Sequence, residues 1–142
     1  MAANSRTDEL WPMLVELLLN AKGWWMAVCA ELDLTPAQGH ALRSLDPDSP
    51  VAMSALAGSI MCDASNITGI VDKLESRGLI SRQGAEHDRR IKQLVVTEKG
   101  RKLRAKLVAK VLEPPKAIAC LPTELKDRLV SVVRAVLAER GR

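Results

Sequence analysis

Residues 63–78 leave the chain the least choice. Ile67, Ile70, Val71 and Leu74 recur at i, i+3, i+4 and i+7, which lines one face of a helix with branched apolar side chains. Asp63 is placed to cap the first turn, with Cys62 and Ile67 in staple positions on either side of it. Gly78 falls where a left-handed residue stops a helix, and Leu74 and Leu79 occupy the two positions that meet in a Schellman motif. The other face carries Ser65, Asn66, Thr68, Gly69, Asp72 and Lys73. Short donors and acceptors of this kind suit a helix that enters a major groove and reads base edges. They equally suit a plain solvated face, and this helix alone does not choose between the two.

The flanking residues bear on that choice. Ser54 is placed to cap a short helix with Leu56, Ala57 and Ile60 inward, and only Met61 and Cys62 separate that helix from Asp63. Two helices joined so tightly make a helix-turn-helix. Beyond Gly78, residues 79–83 and 92–97 have strand character, and the polar GAEHDRR lies between them. This predicts a hairpin with a basic tip, a wing, with 51–53 as a short third strand. Arg89 and Arg90 suit a narrow, electronegative minor groove, and Asp88 is placed to hold one of them by a charge-assisted hydrogen bond. The competing expectation is an exposed hairpin with ordinary surface charges. The predicted fold class is mainly α with a small β-hairpin wing.

The stretch 52–100 resembles the MarR (multiple antibiotic resistance regulator) family of winged helix-turn-helix regulators. DRRIKQLVVTEKG is similar to the family's wing pattern, here Asp88, Arg90, Val96, Thr97 and Gly100. DASNITGIVDKLESRGLI resembles its recognition helix and first wing strand, and LTPAQGHALRSL, at 34–45, resembles the preceding helix. The resemblance implies a homodimer acting as a transcriptional regulator, a repressor, on a palindromic double-stranded operator. It assigns DNA contacts to Asp63, Ala64, Ser65, Asn66, Thr68, Gly69 and Lys73 of the recognition helix and to Asp88, Arg89, Arg90 and Lys92 of the wing. It also implies release by a small aromatic or phenolic ligand, with Trp24, Trp25, His40 and Arg43 from the segments that would line its pocket. Two departures stand out. Met61 replaces a frequent turn glycine, and Gly69 stands where relatives often carry Arg or another long polar residue.

The remaining segments are read as support for this lobe. A long helix is expected from about 8 or 12 to 31, with Met13, Leu14, Leu17, Leu18, Ala21, Trp24 or Trp25, and Val28 on one stripe. Pro12 is expected in its first turn. Thr35 and Gln38 form a predicted capping box with Pro36 at N1. Thr97 opens another helix, which Pro114-Pro115 kinks or ends; 116–121 crosses over, and 122–139 forms a last helix with Leu125, Leu129, Val132, Val133 and Val136 on one face. One domain is predicted over 1–142. Residues 8–31 and 101–140 form a helical dimerisation layer, and 34–100 form the winged lobe.

Charge distribution fits a nucleic-acid partner. Residues 1–60 hold 3 basic and 7 acidic side chains, while 61–142 hold 18 basic and 10 acidic. Lys and Arg around the wing and the following helix are expected to touch phosphates. No uninterrupted apolar run approaches the roughly 20 residues that span a bilayer, and the start lacks the pattern of a secretory signal, so a cytoplasmic location without membrane contact is expected. Cys29, Cys62 and Cys120 form no CxxC and are expected to be buried and reduced. With no phosphate loop, no HExxH, no GxSxG and only His40 and His87, neither cofactor, metal nor enzymatic activity is expected. The functional alternative is a winged-helix module that binds protein rather than DNA.

Overall fold

The computed structural model describes residues 5–60, 64–88 and 90–139. Helices α1 (Ser5–Glu31), α2 (Pro36–Ser44), α3 (Met53–Ser59), α4 (Ala64–Ser76) and α5 (Glu98–Leu112) surround strands β1 (Val51–Ala52), β2 (Ile80–Gly84) and β3 (Lys92–Val96). Helices α6 (Lys116–Ala119) and α7 (Thr123–Glu139) follow. The chain divides into two compact units, Met1–Val111 and Leu112–Arg142. The mainly helical class with a small antiparallel sheet is the one expected.

Local chemistry places most helix ends. The N–H of Gln38 donates to Thr35 Oγ1 at 3.2 Å, and the N–H of Thr35 donates to Gln38 Oε1 at 3.1 Å, which completes the capping box of α2. Thr97 Oγ1 accepts from the Gly100 N–H at 3.0 Å and so caps α5. Pro114 follows the end of α5, as expected of a residue that clashes with a continuing helix.

The core lies in the first unit. Leu42, Leu45, Leu56, Val71, Leu74, Leu94 and Leu107 are essentially inaccessible, and Val28, Cys29, Leu34, Ile67, Leu79 and Ile80 join them. β3 is the central strand, antiparallel to β1 on one side and β2 on the other, with Leu94 opposite both Val51 and Arg82. Leu94 and Val96 alternate inward with half-exposed neighbours, as the two-residue period of a strand requires. α1 joins this core only through its last turns. There Gly39 of α2 allows close approach, since a Cβ on it would lie 2.5 Å from Cys29 Sγ and 2.9 Å from Trp25 Cζ2.

Several expectations need correction. α1 begins at Ser5, so Pro12 sits inside the helix and not in its first turn; it removes one ladder bond that the rest of the helix outweighs. Ser54 lies within α3, whose N-cap is Ala52 with no side-chain cap, because the chain turns directly from β1 into the helix. Met53 belongs to α3 rather than to a strand. Residues 116–119 of the expected crossover coil into α6, whose turn is closed by the Ala119 N–H on Pro115 O at 2.9 Å. Cys120 is exposed, whereas Cys29 is buried as expected. By length and mean hydropathy alone, Arg6–Glu31 is apolar enough to cross a bilayer. An uninterrupted run is a stricter test than a mean. Glu16 and Lys22 break this one, and each charge costs about 3 kcal/mol at a bilayer centre.

Candidate nucleic-acid interface

α4 has one buried stripe and one open face. Ile67, Val71 and Leu74 are buried and Ile70 is half-buried against the core, while Asn66, Thr68, Gly69 and Lys73 are exposed. A Cβ added at Gly69 would meet no atom within 4 Å. Met61, Cys62 and Asp63 lie outside the described residues, as do the side chains of Ala64 and Ser65. The expected cap, staple and turn chemistry therefore fall there.

The far end of α4 follows the Schellman pattern. The Leu79 N–H donates to Leu74 O at 3.0 Å, the Gly78 N–H donates to Glu75 O at 2.8 Å, and Gly78 has φ +69. The carbonyls just beyond are also taken. Thr97 Oγ1 donates to Gly78 O at 2.6 Å, and Lys99 Nζ donates to Arg77 O at 2.7 Å. A Cβ on Gly100 would fall 1.9 Å from Leu79 O, so only glycine lets α5 begin this close to the turn.

A charged clamp ties α4 to the wing. The Arg82 guanidinium on β2 donates to both Asp72 and Glu75 of α4, and the Arg82 N–H donates to Glu75 Oε1 at 3.0 Å. That backbone bond, with the guanidinium, holds the Glu75 carboxyl below its ordinary range against the opposing effect of burial. Arg82 is raised, first by its bond to Asp72. Asp72 is thus committed to holding the helix, although it shares the polar face with the expected base-reading residues. Sequence reasoning missed this clamp. The signal was present in two carboxylates three residues apart, but their distance to Arg82 depends on the path of the chain through Gly78.

The wing tip is closed by its own backbone. The Ala85 N–H donates to Ile91 O, and the Ile91 N–H donates to Asp88 O, each at 3.0 Å. Asp88 does hold Arg90, but through the backbone: the Arg90 N–H donates to Asp88 Oδ1 at 2.9 Å. The expected bond from Asp88 to an arginine side chain is not made to Arg90, because the turn brings the carboxylate onto the main chain two residues on. Arg90 and Lys92 are exposed, and Arg89 lies outside the described residues.

Three cations of α5 have partners elsewhere in the chain. Arg101 pairs with Asp48 at 2.6 Å, Arg104 donates to Leu45 O and Arg43 O at 3.0 and 3.1 Å, and Lys110 pairs with Glu31. They bind α5 to the α2 end, the following loop and α1, a use that charge counting does not distinguish from phosphate binding.

Of the residues expected to line a ligand pocket, three come together. The rings of Trp25 and His40 lie 4.4 Å apart, and the Arg43 guanidinium sits 6.0 Å from the Trp25 ring. Burial, and then the charge of Arg43, lowers the His40 pKa. Trp25 Nε1 is buried without a hydrogen-bond partner among the described residues. Trp24 takes no part in these ring contacts and is 38% exposed. Among the described residues no group of three His, Cys, Asp or Glu side chains is placed to hold a metal ion.

Residues 34–92 match the model of the MarR family. The chain is 34% identical over 114 residues to the transcriptional repressor MprA of Escherichia coli, covering 77% of this chain and 57% of that protein. The chain spans about three fifths of the length of the curated relatives it matches. Its fold is similar to that of a MarR family protein from Bacillus stearothermophilus, with TM-score 0.85 and 22% identity over 99% of this chain and 100% of that one. It is also similar to a variant of MepR from S. aureus bound to an oligodeoxyribonucleotide, with TM-score 0.66 and 20% identity over 91% and 96% of the two chains.

Proposed function

The chain belongs to the MarR family, and from that premise we propose that it is a double-stranded-DNA-binding transcriptional regulator, a homodimeric repressor on a palindromic operator. The observation that carries this reading is the exposed polar face of α4 opposite its buried apolar stripe, with the basic wing beside it. Asp63, Ala64, Ser65, Asn66, Thr68, Gly69 and Lys73 enter the major groove, and Asp88, Arg89, Arg90 and Lys92 follow the minor groove. The small residues at 64–69 let the helix approach base edges closely, while Lys73 and the wing cations meet phosphates.

Residues 8–31 and 101–140 form the dimer layer. Leu14, Leu17 and Leu18 on α1 and Leu129, Val133 and Val136 on α7 are 39–64% exposed, apolar surface of the kind a second copy removes from water. A two-fold pair sets the two recognition helices about 34–36 Å apart, one turn of the duplex. A small aromatic anion bound at Trp25, His40 and Arg43 releases the operator. Arg43 supplies the charge, and the Trp25 N–H supplies a donor.

Selection from a random duplex library, followed by a salt titration of the winners, tests this. The expected result is an inverted repeat with half-sites one helical turn apart and a steep fall of affinity with salt. Weak binding with no enriched sequence would overturn the reading and favour a protein partner for the winged lobe.

A further inference from the structure

The two helices that end against one another at the back of the lobe are stitched by a single side chain. α1 closes in a Schellman turn: the Leu34 N–H donates to Cys29 O at 2.9 Å, and the Asp33 N–H donates to Ala30 O at 3.0 Å. The left-handed position of that turn is Asp33, with φ +57, and no other non-glycine residue among those described has a positive φ. Glycine would adopt this backbone freely, so an aspartate here calls for a reason. Its carbonyl accepts from Arg77 NH1, and its carboxylate lies 3.8 Å from Arg77 NH2. Arg77 is the residue before Gly78, the left-handed stop of α4, and its own carbonyl accepts from Lys99 at the start of α5.

Arg77 thus joins three pieces of chain distant in sequence. They are the elbow between α1 and α2, the end of α4, and the first turn of α5. Only the end of α1 is packed into the lobe, and most of its length is exposed. At 1.5 Å per residue a 27-residue helix is a lever of about 40 Å. A small rotation of α1 therefore reaches the elbow as a displacement of the Asp33 carbonyl. Arg77 is half-buried, and the planar guanidinium with both contacts in place transmits direction as well as distance.

We propose that Arg77 is a positioning residue, which sets the angle of α4 from the pose of the α1–α2 elbow and so governs how well the exposed face of α4 reads sequence. The inference rests on the DNA-binding function proposed above. It adds a residue that touches no base or phosphate, and a route by which rearrangement of α1 reaches the reading face.

The test compares the unaltered protein with Arg77→Ala, Arg77→Lys and Lys73→Ala. Each is titrated by fluorescence anisotropy with the selected operator and with a scrambled duplex of the same length, over a series of salt concentrations, at a temperature where all four are folded by circular dichroism. Arg77→Ala is expected to lower the operator-to-scrambled affinity ratio about tenfold, with the scrambled affinity and the salt slope unchanged. Arg77→Lys, which keeps a donor for the Asp33 carbonyl, recovers part of the ratio. Lys73→Ala, as a phosphate contact, lowers the salt slope by about one on both duplexes. A loss of slope in Arg77→Ala would make Arg77 a phosphate contact. A ratio within twofold of the unaltered protein, even with a lower Tm, would make the tie merely structural. Either result overturns the proposal. Failure of the unaltered protein to prefer any operator is a different result, and it removes the DNA-binding function on which the proposal rests.

Discussion

The winged lobe and the terminal helices use the same residue types in opposite ways. In the lobe, Leu42, Leu45, Leu56, Leu74 and Leu94 are each at most 1% exposed. Along α1, Leu17, Leu18 and Leu19 are 60–66% exposed, and on α7 Leu129, Val133 and Leu137 are 43–60% exposed. The lobe closes its core within one chain. The terminal helices carry apolar stripes that no described residue of their own unit covers. An amphipathic helix gains most of its stability from the face it buries, so the lobe is complete within its own unit, whereas the stripes of α1 and α7 are the faces on which the proposed dimer rests.

The largest expected effects come from breaking that contrast directly. Leu129→Glu with Val133→Glu should weaken the proposed homodimer by at least about 100-fold in sedimentation or light scattering, because each charge would enter the apolar interface proposed for it. Leu74→Ala should do the reverse, costing about 2–5 kcal/mol of stability in denaturant unfolding while leaving the assembly state alone. If the α7 pair changes nothing in assembly, the second copy is not what covers that face.

An intermediate effect sits at the clamp within the lobe. Arg82→Ala should cost about 1–2 kcal/mol, since it leaves two carboxylates of α4 without their shared partner, discounted for their exposure. The pH dependence has a definite sign. Glu75 titrates lower in the folded chain than its ordinary 4.5, so the folded state binds its proton less readily than the unfolded one. The stability that Glu75 contributes is complete above its unfolded value and is lost as pH falls through the folded value. Urea unfolding between pH 3 and 7 should show a steeper acid loss in the unaltered protein than in Arg82→Ala. Parallel curves would mean that the backbone N–H of residue 82, which the substitution keeps, and not the guanidinium, is what lowers Glu75.

The smallest effect separates folding from reading at one position. Gly69→Ala should stabilise α4 by about 1 kcal/mol, since the added Cβ meets nothing and glycine is the poorer helix former. The same methyl would stand on the face proposed to enter the groove, so operator affinity should fall while stability rises. A gain in both would place Gly69 outside the contact surface.

Much of this lobe was legible from residue order, because its determinants are local. The Thr35–Gln38 capping box, the stop at Gly78 with Leu74 and Leu79, and the apolar period of α4 each depend on neighbours within a few residues, and each stands where expected. The errors occurred where local rules compete. Pro12 reads as a first-turn residue but lies within α1. Ser54 reads as a cap but the chain enters α3 one residue before it, straight from β1. The candidate site shows the same division. The polar residues of α4 and the wing were visible as a pattern, whereas Asp72, Arg101 and Arg104 proved to be committed to partners elsewhere in the lobe.

The sequence by itself determined which segments are helical, where most of them stop, and which face of α4 is polar. Capping, periodicity and the left-handed glycine act over a turn or two and need no distant partner. The tertiary structure alone decided that Trp25 and not Trp24 packs onto α2, that Gly39 and Gly100 permit close approach, that Arg82 grips α4, and that Arg77 reaches back to Asp33. Those contacts join residues up to 44 positions apart. A contact of that range forms only when the whole lobe has brought the two backbones together, and spacing along the chain carries no record of it.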